Sequence, residues 1–202
     1  MIAIIDYGAG NIRSIENAVK KLGQSTIVTS NLSDLASAEK IILPGVGAFA
    51  CTENLGKLKK SIIDEIKKGK PILGICLGMQ MLFEESEESP GIRGLAVFKG
   101  NVRKLRSDCL TSGCLKLPQI GWNSIKQTAE SPLLKGITTE DYFYFVNSYV
   151  VDPVDRSIVA ATSEYGETFC SVVSSGNIFG TQFHPEKSGK VGLKLIQNFI
   201  EL

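Results

Sequence analysis

One histidine, His184, serves the whole 202-residue chain, and it stands in the segment His184-Pro185-Glu186-Lys187. Far upstream, Gly74-Ile75-Cys76-Leu77-Gly78 brackets a cysteine with glycines. A thiol nucleophile needs a base to take its proton, usually an imidazole. Any Cys–His chemistry in this chain therefore runs through His184, and Cys76 is the cysteine whose setting suits it. An apolar run enters Cys76 as a strand and a helix leaves at once, the strand–turn–helix context of a nucleophile elbow. The thiol then stands at a helix start, where partial positive charge favours thiolate and the Leu77 amide is free to donate to an oxyanion. Alone, the same five residues also suit a buried small cysteine ending a core strand. Glu186 lies two residues after His184; in an extended segment the two side chains point the same way, so Glu186 suits the third role of a triad, orienting the imidazole.

Other segments carry weaker signals. Pro44-Gly45-Val46-Gly47 ends a strand, and in open α/β sheets ligands sit at the carboxyl edge. Its two glycines let a peptide reorient, so a backbone N–H at Val46–Gly47 can aim at a developing oxyanion. A plain tight turn is the rival reading. Gly8-Ala9-Gly10-Asn11 lacks the third glycine of a dinucleotide fingerprint, and no Gly-Lys-Ser/Thr phosphate loop occurs, so no cofactor is expected. Trp122, between Gly121 and Asn123, suits an exposed turn and a partner surface.

The elements that must position these residues follow from the apolar pattern. Ile2–Ile5, Ser25–Val28, Lys40–Leu43 and Pro71–Ile75 read as buried strands. Between them lie a helix capped by Asn11 and running through Leu22, with Ile12, Ile15, Val19 and Leu22 on one face, and a second helix over Leu55–Lys68. A further helix runs from the cysteine elbow through Phe83. Glu84–Glu88 reads as a solvated loop or helix end. Beyond Leu95 the strands crowd together: Val97–Leu105, Leu117–Ile125, Tyr142–Val151, Ile158–Thr162, Phe169–Val173 and Ile178–Gln182. A turn at Ser174-Ser175-Gly176-Asn177 makes hairpins, and a helix over Val191–Glu201 ends the chain. The expected fold is α/β: a single three-layer domain over residues 1–202, with a mostly parallel central sheet flanked by helices and antiparallel strands in the second half.

Composition narrows the function classes. A net charge of +1 gives no nucleic-acid footprint. No segment approaches membrane-spanning length, and the Met1–Asp6 start has no basic region of a signal peptide. The five cysteines are odd in number and hold no Cys-x-x-Cys pair. Cys109 and Cys114 with one distant histidine do not make a zinc site, so no metal is expected. Reduced thiols in a cytoplasmic enzyme fit better than a disulfide framework.

Over essentially its whole length the chain resembles the class I, triad-type glutamine amidotransferases, and among them the glutaminase subunits of imidazole glycerol phosphate synthases. The resemblance rests on Asp6-Tyr-Gly-Ala-Gly-Asn11, Pro44-Gly-Val-Gly-Ala-Phe49, Gly74-Ile-Cys-Leu-Gly-Met-Gln80, Gly121-Trp-Asn123, Tyr144-Phe-Val and Gln182-Phe-His-Pro-Glu-Lys-Ser188, in family order. It implies hydrolysis of L-glutamine by a Cys76–His184–Glu186 triad, with Val46, Gly47 and Leu77 at the oxyanion and Gln80 binding substrate. It also implies a heterodimer with a barrel-type synthase (cyclase) subunit in histidine biosynthesis. The partner would receive the ammonia through an internal channel and form imidazole glycerol phosphate and the purine precursor AICAR. Asn11, Trp122 and Lys187 match positions at or near that junction, and activity in isolation is expected to be low. Two residues depart from the family: Gln119 and Asn147 stand where it usually has histidines. Those departures also fit a paralogue feeding another synthase, such as a bacterial sugar-amidating enzyme. A non-catalytic binding subunit is a poorer fit to the intact triad, and a papain-type protease would need its third member, an Asn, far from the histidine.

Overall fold

The computed structural model describes residues 1–106 and 115–202; Cys109 and Cys114 lie outside the described residues. In the first half β1 (Ile2–Ile5), α1 (Ile12–Lys21), β2 (Thr26–Thr29), α2 (Leu32–Ser37), β3 (Lys40–Leu43), α3 (Leu58–Lys67) and β4 (Ile72–Ile75) alternate. The one-turn helix α4 (Leu77–Gln80) follows, then β5 (Glu85–Ser86), β6 (Gly100–Lys104), β7 (Gln119–Ser124), β8 (Lys126–Gln127), β9 (Tyr142–Asn147) and β10 (Tyr149–Pro153). The chain closes with β11 (Val159–Glu164), β12 (Thr168–Ser175), β13 (Ile178–Thr181) and α5 (Gly189–Ile200).

An eight-stranded sheet in the order β2-β1-β3-β4-β13-β12-β11-β8 forms the centre. Its first five strands are parallel and its last three antiparallel. This is the mostly parallel sheet with antiparallel additions that the sequence pattern implied. Strand residues alternate between the two faces. Ile2, Ile4, Leu73 and Ile75 pack on one side with Ile15 and Val19 of α1 and Leu195 and Phe199 of α5. Ile5, Ile41, Leu43 and Ile72 pack on the other with Leu35 of α2 and Ile62 and Ile66 of α3. A three-stranded sheet β10-β6-β5 and a two-stranded ribbon β7-β9 complete the fold.

Several expectations need correction. Asn11 precedes α1 but makes no side-chain capping bond. A lost cap costs about 1 kcal/mol, less than burying even one of Ile15 and Val19 contributes, so packing holds α1 without it. The segment 32–37 is helical, where no helix was expected. The helix placed over Leu55–Lys68 begins only at Leu58, and a 3-10 turn over Phe49–Leu55, where no helix was expected, precedes it. The helix expected through Phe83 stops after one turn, because Leu82 and Phe83 donate back three residues, to Met79 and Gln80, and tighten the chain. The run Tyr142–Val151 breaks at Ser148 into two strands that pair with different neighbours. Glu84–Glu88 is not simply solvated: Ser86 is buried in β5, and Glu84, Glu87 and Glu88 each accept a backbone N–H, from Gly100, Lys104 and Phe49.

This topology brings distant segments together. β3, β4 and β13 are adjacent and parallel. Whatever follows their carboxyl ends emerges side by side: the 44–47 turn, Cys76 and the 182–187 segment.

Candidate active site

Cys76 has φ 53°, ψ −109°, a backbone conformation that side chains rarely adopt. Packing enforces it. A Cβ on Gly78 would lie 1.8 Å from the Leu43 carbonyl oxygen, and one on Gly74 2.6 Å from the Gly78 carbonyl oxygen. Both positions must be glycine for β4 to turn so tightly into α4. The backbone N–H of Cys76 donates to Thr181 O at 2.7 Å, tying the elbow to the end of β13.

Gln182, Phe183 and His184 continue from β13 and carry the imidazole back toward the sulfur. His184 is 2% exposed, and Cys76 is near enough to act on its ring. Its Nδ1 lies 2.9 Å from Glu186 Oε1, which leaves Nε2 as the nitrogen that can face sulfur. The His–Glu pair forms through a 3-10 turn over Pro185–Lys187, not along an extended segment as the sequence reading had it. Burial alone would push the imidazole down; the neighbouring Cys76 and Glu186 override it and raise the ring to about 10. The protonated ring is the form these neighbours favour.

The remaining expected residues fall in two groups. Val46, Gly47, Leu77 and Gln80 line the same cavity of about 490 Å³ as Cys76 and His184. Gly47 has φ +104°, and the 44–47 turn is propped by Tyr7, whose buried hydroxyl donates to Pro44 O at 2.8 Å. Burial, then the Cys51 and Cys76 thiols, push that hydroxyl well above its ordinary value. Asn11, Trp122 and Lys187 have different neighbours. Asn11 Nδ2 donates to Glu186 Oε1 at 3.4 Å, beside the His184–Glu186 pair. Trp122, expected in a turn, sits on β7, 57% exposed, with its edge on Tyr144 at 5.8 Å; Lys187 Nζ lies over the same Tyr144 ring at 5.9 Å. Ile120 and Tyr142 extend this exposed face.

Two residues of the site were not singled out for chemistry. Glu88 lines it, although the acidic run around it reads as solvent-facing. Gln182 Nε2 donates to Cys76 Sγ at 3.6 Å. The only sequence signal for Gln182 is its place two residues before the histidine. Gln119 and Asn147 face each other across the ribbon, both buried, and Asn147 borders the cavity.

The family described as glutamine amidotransferase class-I matches residues 3–202. The chain belongs to the class-I glutamine amidotransferases. Among its relatives in that family, one from Methanocaldococcus jannaschii, named imidazole glycerol phosphate synthase subunit HisH, is 54% identical over 100% of both chains. A relative of the same name from Pyrococcus furiosus is 48% identical over 100% of this chain and 98% of its own. The amidotransferase fold recurs in more distant solved structures. One described as a glutamine amidotransferase has TM-score 0.77 at 17% identity, covering 100% of this chain and 98% of its own. The structure of PurLQS from Thermotoga maritima has TM-score 0.72 at 20% identity, covering 99% and 97%.

Proposed function

We propose that this amidotransferase hydrolyses the side-chain amide of L-glutamine with Cys76, His184 and Glu186, and passes the ammonia to a barrel-type synthase subunit of histidine biosynthesis. The observation that carries the reading is the meeting of sulfur, imidazole and carboxylate beside one cavity, at the carboxyl ends of two adjacent parallel strands. Cys76 Sγ attacks the amide carbon, and the carbonyl π pair moves onto oxygen. Backbone N–H groups at Val46–Gly47 and Leu77 hold that oxyanion. Imidazolium His184 gives its proton to the amide nitrogen, the C–N bond breaks, and ammonia leaves a thioester on Cys76. His184 then takes a proton from water, which attacks the thioester; the C–S bond breaks and glutamate departs. Glu186 holds the ring in one orientation and stabilises its charge.

Glu88 offers a carboxylate to the substrate's ammonium. Gln80 offers its side-chain oxygen, because its amide nitrogen already donates to Tyr149 O and Gln182 Oε1. Ammonia released into water is protonated and ceases to be a nucleophile, so a partner must seal the site. The exposed Ile120, Trp122 and Tyr142 face, with Lys187 beside it, is the surface for that subunit. The partner's products would be imidazole glycerol phosphate and AICAR. The names of relatives up to 54% identical favour the histidine pathway over a sugar-amidating paralogue. No helix among the described residues is long and apolar enough to cross a membrane, consistent with a cytoplasmic enzyme.

The test is glutamine hydrolysis by Cys76→Ala in complex with the histidine-pathway barrel. Turnover is expected to fall by about 10⁴-fold or more, with barrel binding retained. Substantial residual hydrolysis would contradict the nucleophile, and a barrel that neither binds nor stimulates the wild-type chain would contradict the pathway.

A further inference from the structure

Gln182 is fully buried, with 0% of its surface exposed, and its amide touches the sulfur of Cys76. We propose that Gln182 is a catalytic residue of the hydrolysis, holding negative charge on Cys76 Sγ, and that Gln80 is a positioning residue that fixes which end of the Gln182 amide faces sulfur. The proposal rests on the reading of Cys76 as nucleophile given above.

The direction of the Gln182 amide decides its chemistry. A side-chain amide has a donor end and an acceptor end that coordinates alone do not distinguish, so the hydrogen-bond network must assign them. Here the assignment starts from a backbone carbonyl, which can only accept. Gln80 Nε2 donates to Tyr149 O at 3.1 Å, so the Gln80 nitrogen must face that way. The same nitrogen has a second hydrogen, which goes to Gln182 Oε1 at 3.2 Å. The Gln182 oxygen is thereby spoken for, and its Nε2 is the end left to face Sγ at 3.6 Å. Turning the Gln182 amide over would set nitrogen against nitrogen at Gln80. Turning Gln80 over would set oxygen against oxygen at Tyr149. A fixed relay runs from main-chain carbonyl through two amides to the sulfur.

An amide N–H has no lone pair to offer, so Gln182 can only stabilise sulfur as an acceptor, and it does so most when sulfur is charged. A contrary influence lies close by. The Val146 carbonyl, 3.9 Å from Sγ, is placed to accept the thiol proton. His184 and Gln182 together face that carbonyl's effect. In a buried site a donor aimed at charge is worth more than in water, and it needs no reorganisation when charge appears. Charge appears on this sulfur twice in each turnover. It is present before attack, and it returns when water has added to the thioester and the C–S bond breaks with its electron pair going to sulfur. One fixed donor serves both halves, whereas the imidazole must give up its proton between them.

The experiment compares the full wild-type chain with Gln182→Met, Gln182→Glu and Gln80→Met. Each is inactivated by a chloroketone analogue of glutamine over a range of pH, and each is assayed for hydrolysis with the synthase subunit bound. Gln182→Glu sets a carboxylate beside the sulfur, so the pH midpoint of inactivation should rise by about one unit or more. Gln182→Met should lose about tenfold or more in kcat with KM little changed. Gln80→Met keeps Gln182 but unlocks its amide, so it should raise the midpoint by a smaller step. This variant carries the test if the Gln182 variants do not fold. Midpoints and kcat equal to wild type in the folded variants would overturn the proposal. A wild-type chain that the chloroketone fails to label at Cys76 would instead overturn the nucleophile reading.

Discussion

Two glycine-bearing turns meet over the same cavity, and packing treats Cys76 in one and Val46–Gly47 in the other in opposite ways. At the 74–78 elbow, an added Cβ on Gly74 or Gly78 would fall within 2.6 Å of backbone atoms. At the 44–47 turn Gly45 is packed just as tightly, since a Cβ there would lie 2.6 Å from Leu77 Cβ, but a Cβ on Gly47 would meet nothing nearer than Cys51 Sγ at 3.6 Å, and Val46 is 39% exposed. Cys76 and the Leu77 amide are clamped by the core; the Val46–Gly47 peptides, also expected at the oxyanion, lie at the surface with room to turn. A strained residue such as Cys76 persists only where its surroundings over-determine it, at a cost of about 1–3 kcal/mol. On the proposed function the contrast teaches a division of labour: the fold builds the attacking group in advance and leaves the Val46–Gly47 donors free to respond to a partner. That division accounts for the low activity expected of the isolated chain.

Gly78→Ala should break the clamped side with the largest effect. The new methyl meets the Leu43 carbonyl at 1.8 Å, and neither backbone can yield without parting β3 from the elbow. The stability loss should be about 3 kcal/mol or more, read as a lower denaturant midpoint. A loss under about 1 kcal/mol would mean the elbow is softer than its packing implies.

Gly47→Ala should act on the open side with a smaller effect on the fold and a larger one on catalysis. The methyl finds space, so the penalty is that of φ +104° for a non-glycine residue, about 1–2 kcal/mol. A turn that reaches its productive state by rotating the Val46–Gly47 peptide would be hindered, so kcat in the complex should fall about tenfold or more. Alkylation of Cys76 by a glutamine-like electrophile should persist. Equal loss of both activities would erase the distinction between the turns.

The two halves of the chain were unequally legible in sequence. β1 and β3 fall on the residues their apolar runs indicate, because a buried parallel strand is a short unbroken run bounded by turn residues. Tyr142–Val151 misled for the same reason. It is one β-forming run without glycine or proline, and only its pairing with β7 on one side of Ser148 and β6 on the other divides it. At the site, Cys76, His184 and Glu186 stand out by residue type, and the parallel neighbours β4 and β13 explain why such distant residues meet. Gln182 and Glu88 did not stand out, because glutamine and glutamate are ordinary surface residues and only the fold, which buries Gln182 against Cys76 and sets Glu88 at the cavity, gives them meaning. Asn11 misled because its place before α1 suits a cap, yet its amide is drawn to Glu186.

The central claim is that the attacking sulfur is assembled before any partner docks. Its most direct measurement is peptide mapping of the isolated chain after treatment with a chloroketone analogue of glutamine at neutral pH. The prediction is a single adduct on Cys76, blocked by excess glutamine and formed without the synthase subunit. Adducts that instead appear on Cys51 or Cys170, or a Cys76 that reacts only once the barrel is bound, would contradict it.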